Sequence, residues 1–315
     1  MAARATRSVS RKARVAEAVA TGPLGALSHD ELGVIVDGLA DPLQPVVAVA
    51  LSSTCLGLRT PLQTVLEVLK ERHGRAVALC RKLRTGQDLP RICVTSCAEL
   101  CGAGQLECYA KDIAAHEAAT LGMILGFLPK LEVLCLHYNT FDEASANSFS
   151  VCLRRAWLPS LTELSMTSCS LGRTVAEALA AAIRQGALPK LEILALGGNS
   201  FGTQGGSVLA APLRTLPALR YLQFWGNDIG DEGVASLLDN LGKDDFKKLD
   251  RLGISENKIT DVGCATIVAS LNTGAMPALE FLSVFYDGSD EESRRADAVA
   301  NALQRAKERR GAALG

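Results

Sequence analysis

Six segments of the chain carry one apolar pattern at a nearly fixed spacing. They are LPKLEVLCLHYNTF from Leu128, LPSLTELSMTSCSL from Leu158, LPKLEILALGGNSF from Leu188, LPALRYLQFWGNDI from Leu216, FKKLDRLGISENKI from Phe246 and PALEFLSVFYDGSD from Pro277. Their anchors, Leu131, Leu161, Leu191, Leu219, Leu249 and Leu279, follow one another at intervals of 28 or 30 residues. One more step of 28 back reaches Ala103, where Leu106, Cys108 and Ile113 still fill the apolar slots of a degenerate first repeat. A chain repeating at this period is a stack of like units, each burying its apolar face against the next.

Apolar residues at the anchor, three and five positions on give L-x-x-L-x-L, a short strand whose alternate side chains enter the core. Three residues later Asn139, Asn199, Asn227 and Asn257 recur, with Lys111, Cys169 and Asp287 in the remaining repeats. A buried Asn at such a corner can bond backbone groups that an irregular turn leaves unpaired. The second half of each repeat has helical spacing. Leu121, Phe149, Leu179, Leu209, Leu237 and Ile267 stand four residues before Leu125, Leu153, Ile183, Leu213, Leu241 and Leu271, which puts each pair on one helix face. Small or slender residues at Ala118, Ala146, Ala176, Gly206, Val234 and Cys264 let the helix approach the strand, and Pro129, Pro159, Pro189, Pro217 and Pro277 stop it.

These registers resemble leucine-rich repeats of the ribonuclease-inhibitor-like class over about two-thirds of the chain. The resemblance implies an α/β solenoid over residues 103–286, with a curved parallel sheet inside, helices outside, and a protein-binding role. Residues 287–315 depart from the slots. Their helix, opened by a capping box from Ser289 to Glu292, is expected to cap the stack.

Composition agrees. The chain is 48% apolar but only 4% aromatic, as a core of Leu, Ala, Val and Ile requires. With a net charge of −1 there is no overall field to attract nucleic acid or an anionic membrane. No run of 18 apolar residues and no secretory h-region is present, so a cytoplasmic or nuclear protein is expected. Ten cysteines, mostly in small apolar slots, suit a reducing compartment.

Residues 1–23 carry Arg4, Arg7, Arg11, Lys12 and Arg14 with no acid before Glu17, reading as a solvated basic tail or an organelle-targeting segment. Residues 24–102 read as a helical module. Within it, Leu27, Leu32, Ile35 and Leu39 form one stripe, Asp41-Pro42 breaks the chain, and Leu51-Ser52-Ser53-Thr54-Cys55 with Leu58-Arg59 closes a hairpin over 24–62. The hairpin resembles an F-box, with Ser28 in place of the opening Pro and Gly57 where a larger residue is common. That resemblance implies docking of a Skp-type adaptor through Leu27, Leu32, Ile35, Leu39, Leu51 and Leu58, and thereby of a cullin. A simple N-terminal cap is the alternative. A helix is expected over 61–84, opening at Pro61, weakened at Gly74, and solvated through Lys70, Arg72, Arg75, Arg81, Lys82 and Arg84.

No residues form a catalytic pattern, so no enzyme and no cofactor are expected. Cys93, Cys97, Cys101 and Cys108 lack the close pairs of zinc sites, and no metal site is assigned. Gly197-Gly198 and Gly202 to Gly206 read as strand ends and corners, without the flanking residues of a phosphate loop. The open, concave side of the sheet is richer. The four outward positions per repeat hold Tyr109, Tyr138, Tyr221, Trp225, Phe281, Phe285 and Tyr286, half of the chain's fourteen aromatics. Aromatics on a solvated sheet are the usual anchors of a protein interface. His137, Arg251, Glu107, Glu163 and Glu256 add mixed charge, which fits a protein or peptide. The function expected is therefore a protein-interaction module, an F-box-type substrate receptor of a cullin–RING ubiquitin ligase. A stand-alone scaffold like the ribonuclease-inhibitor repeats is the alternative. A GTPase activator resembling the Ran-activating repeat proteins is disfavoured by the basic end RAKERRGAALG, where that family has an acidic tail.

Overall fold

The computed structural model describes residues 41–46, 49–50, 63–84, 97–110, 113–154, 157–242, 244–285 and 290–314. The chain forms two compact units, Met1–Arg81 with Thr95–Leu100, and Lys82–Val94 with Cys101–Gly315. The basic tail and nearly all of the F-box-like hairpin, including Leu27, Leu32, Ile35, Leu39, Leu51 and Leu58, lie outside the described residues.

Helix α1 (Gln63–Arg84), whose residues up to Arg81 belong to the first unit, buries Leu69, Ala76, Leu79 and Cys80, a spacing that puts them on one face. Lys70, Arg72, Arg75 and Arg81 are exposed, and the helix continues through Gly74. Its His73 Nδ1 lies 2.7 Å from the carbonyl oxygen of Pro42. The short helix α2 (Cys97–Gly102) brings the Cys97 sulfur 3.8 Å from that of Cys80, both thiols.

The second unit is the repeat array. Strands β1 (Gln105–Glu107), β2 (Val133–Cys135), β3 (Glu163–Ser165), β4 (Ile193–Ala195), β5 (Tyr221–Gln223), β6 (Arg251–Gly253) and β7 (Phe281–Ser283) form one parallel sheet in chain order. Register is identical at every interface: Leu106, Leu134, Leu164, Leu194, Leu222, Leu252 and Leu282 are partners in turn. After each strand comes a helix: α3 (Ala115–Leu125), α4 (Glu143–Leu153), α5 (Gly172–Arg184), α6 (Gly202–Arg214), α7 (Gly230–Leu238), α8 (Asp261–Asn272) and α9 (Asp290–Leu314). Each packs on the next. The anchor leucines, the inward strand residues and the first helical row are buried, as a shared core between sheet and helices requires.

Two positions depart from the sequence pattern. Leu241, expected on a helix face, is half-buried beyond the end of α7, because the chain leaves the helix at the extended Asp239 and Asn240 then turns into the left-handed region. Arg214 of α6 takes over the helix end, donating to the carbonyls of Ser236, Leu237 and Asp239, groups that a helix terminus leaves unpaired. Leu282 is only half-buried, since β7 is an edge strand with no neighbour beyond it. There α9 buries Val299 and Ala302, and its Arg309 and Arg310 donate to the carbonyls of Leu271, Pro277 and Leu279.

The asparagine corners carry the stack. Asn227 Nδ2 donates to Leu196 and Phe224 carbonyls at 2.9 and 3.0 Å, and its Oδ1 accepts from Asn199 N–H at 3.1 Å. Asn199 and Asn257 make the equivalent bonds. Where the repeat has Cys169, its thiol reaches the Leu136 carbonyl at 2.8 Å, and burial pushes it up to about 11, so it stays a neutral donor. Replacing Asn227 with Ala orphans the Asn199 N–H in a buried corner and takes one of two donors from the Leu196 and Phe224 carbonyls, which keep Asn199 Nδ2 and Asn257 Nδ2. The expected loss in urea unfolding is about 1–3 kcal/mol, the range for one unsatisfied buried group; a loss under about 1 kcal/mol would show that the corner finds other partners.

Candidate functional site

Strand alternation puts the residues flanking each buried central leucine on the side of the sheet away from the helices. Two residues past each strand the chain still faces that side, and then it must turn. It does so through a left-handed residue in all six described repeats: Ala110, Tyr138, Ser168, Gly198, Gly226 and Glu256. Gly198 and Gly226 adopt this conformation freely, whereas Tyr138, at φ 58°, holds it against a steric cost of roughly 1–2 kcal/mol.

Tyr138 is 52% exposed beside Tyr109 at 50%, and the two rings meet edge-to-face with centroids 5.2 Å apart. Next to them His137 is half-buried and accepts a hydrogen bond at Nδ1 from the Thr167 N–H at 3.4 Å. Burial lowers the imidazole from its ordinary value while the Glu107 charge opposes the shift, so the ring is neutral at pH 7. Between Glu107 and Glu163, the half-buried Cys135 thiol is pushed up to about 11, by burial first and then by both carboxylates.

A second aromatic group stands on β5 and β6. The Tyr221 hydroxyl accepts from Gln223 Nε2, and the Arg251 guanidinium lies 5.9 Å from the centre of its ring, within reach of a cation–π contact. Trp225 does not stand free. Its indole lies over the backbone of Gly197 and Gly198 in the preceding repeat, so closely that a Cβ at Gly197 would come within 2.3 Å of the ring. Phe281 is exposed on the edge strand, Phe285 is half-buried, and Tyr286 lies outside the described residues.

The expected site residues therefore fall into two clusters, Tyr109, His137 and Tyr138 at one end and Tyr221, Trp225 and Arg251 towards the other. Between them β3 and β4 present the small residues Ser165, Thr167, Ala195 and Gly197, all buried under taller neighbours. Reading the glycines as corners missed their second role. The signal was available: a glycine faces an aromatic at the same slot one repeat later. Among the described residues no group of three or more His, Cys, Asp or Glu side chains is arranged to hold a metal ion, and Cys97, Cys135, Cys169 and Cys264 are free thiols. No helix among them is long and apolar enough to cross a membrane.

Residues 187–210 and 216–238, the β4–α6 and β5–α7 units, match the leucine-rich repeat family model. The chain carries leucine-rich repeats. The matched repeats share strand register, corner chemistry and helix packing with their neighbours on both sides. No curated protein matches the chain.

Two measurements check the geometry of this repeat face. In a Trp157→Phe background, which removes the exposed second indole, Gly197→Ala should lift Trp225 into water and shift its fluorescence to longer wavelength. Unchanged emission would place the ring elsewhere. Cys135 should react with iodoacetamide at pH 8 roughly a hundredfold more slowly than an ordinary thiol, because a rise from 9.0 to about 11 cuts the thiolate by that factor. Removing both charges with Glu107→Gln and Glu163→Gln should speed the reaction, read by mass mapping of the labelled peptide.

Proposed function

We propose that this chain is a non-catalytic protein-binding array that holds its partner on the open face of the repeat sheet, and that its hairpin at 24–62 joins that partner to a cullin–RING ubiquitin ligase through a Skp-type adaptor. The observation that carries the first part is the placement of Tyr109, Tyr138 and Phe281, each at least half exposed, on the sheet face opposite helices α3–α8. Large aromatics kept in water without a structural reason supply contact area to a partner. The leucine-rich repeats support the same reading, since such arrays generally bind proteins. The adaptor-docking part rests on the F-box-like residues of the sequence. Its contribution to ubiquitin transfer is proximity, the substrate being held near the ligase's catalytic subunits.

One affinity purification separates the parts. Tagged full-length protein should recover a Skp-type adaptor, a cullin and a substrate. Deleting 24–62 should lose the first two. Trp225→Ala with Tyr221→Ala should keep them and weaken substrate binding at least about a hundredfold, because central aromatic anchors contribute about 2 kcal/mol or more each, with circular dichroism checking that the array stays folded, since the indole also packs on Gly197 and Gly198. Recovery of a partner without adaptor or cullin would overturn the ligase reading and leave a scaffold. Unchanged affinity in the double variant would move the binding site off the open face.

A further inference from the structure

The open face is electrically uneven. On β1–β3 it carries two carboxylates, Glu107 and Glu163, placed diagonally across β2 because Glu107 pairs with Cys135 while Glu163 pairs with Val133. Neither has a lysine or arginine within ion-pair distance among the described residues, although ion pairs are made at many other places on this unit, such as Arg220 with Asp250 and Lys258 with Asp228. The neighbours register the uncompensated charge. Burial and the Glu107 charge raise the Glu163 carboxyl above its ordinary value, and both carboxylates add to the burial that raises the Cys135 thiol.

Two further observations stand beside this charge. Tyr109 lies two residues after Glu107 on the same face, and with Tyr138 it forms an exposed edge-to-face pair whose ring faces are electron-rich surfaces for a cation. Thr167, in the same slot as His137 one repeat on, is only 7% exposed, and its hydroxyl has no hydrogen-bond partner. An unsatisfied buried hydroxyl is a group that a bound polar segment can supply.

We propose that the β1–β3 end of the open face binds a lysine or arginine side chain borne by the protein partner, with the cation against the Tyr109–Tyr138 pair and Glu107 and Glu163 as its counter-charges. The inference rests on the open face being the partner-binding surface, and it names the chemistry taken at one end of it. Charge complementarity selects the occupant. A cation relieves the repulsion between the carboxylates, and the rings exclude water from one side of the contact, strengthening the pair beyond what an exposed ion pair gives. Acidic segments and nucleic acid are repelled by the same charges.

The probes are a fluorescein-labelled Arg-Ser repeat peptide and its Gln-Ser counterpart, followed by fluorescence anisotropy at physiological salt on the full chain. Wild type should bind the first and not the second. Glu107→Gln with Glu163→Gln should weaken binding about tenfold or more, as should Tyr109→Ala with Tyr138→Ala, in line with the energies of desolvated cation–π contacts. Glu232→Gln, on the exposed side of α7, should change nothing. The Glu→Gln pair keeps side-chain shape, so the test stands even if the tyrosine pair melts early. Equal binding of both peptides, or full binding by the Glu→Gln pair, overturns the proposal. If that happens while Trp225→Ala with Tyr221→Ala still loses the natural substrate, the cation site fails and the open-face reading survives; if neither variant pair affects the substrate, both fail.

Discussion

The array depends on backbone satisfaction at its corners. A strand of three residues cannot feed a helix on the far side of the core without a turn whose N–H and C=O groups are shut away from water, and an unpaired group there is expensive. The asparagine amide solves this with donor and acceptor on one short side chain. Its NH2 binds a carbonyl of its own corner and one of the preceding repeat, and its oxygen takes an N–H from that preceding repeat. The parallel register, the burial of the central leucines and the presentation of every outward side chain all depend on these corners being closed in the same way.

Strands, helices and most of the core were legible in the sequence because the array is periodic: once Leu131 to Leu279 set the phase, the depth of almost every apolar residue in the repeats was determined. The exceptions have local causes. Leu241 kept the helical phase but lost its helix to the extended Asp239 and left-handed Asn240, which no apolar periodicity reports. Cys169 broke the asparagine pattern while preserving its chemistry, a thiol reaching the carbonyl an amide would have reached. The side on which Tyr109, Tyr221 and Phe281 stand was legible from alternation alone. What Trp225 does there was not, because it depends on the absence of a Cβ at Gly197, a residue 28 positions earlier whose meaning is spatial.

The open face shows how a fixed backbone leaves function to side chains. The same slot is Tyr109, His137, Thr167, Gly197, Trp225 and Ser255 in successive repeats, so neighbouring units differ in height, charge and hydrogen-bonding capacity while the leucines beneath them are interchangeable. Bulk gathers at two places with small residues between. Negative charge gathers at one of these and Arg251 at the other. Selection on such a face can change the ligand while the leucines beneath it stay the same.

The uniform corner also bears on how such a chain changes length. Asn199 and Asn227 make the same bonds to the preceding repeat and donate their own N–H to the next repeat's asparagine in the same way, although one repeat spans 28 residues and its neighbours 30. The two-residue difference is absorbed on the helical side and never reaches the sheet. A gene segment encoding one whole unit could therefore be lost or duplicated with the cut ends meeting in matching chemistry, shifting the two aromatic clusters closer together or farther apart by one strand spacing. The spacing between contact points on a ligand is in this sense a heritable variable, adjustable in steps of a single repeat while the core stays as it was.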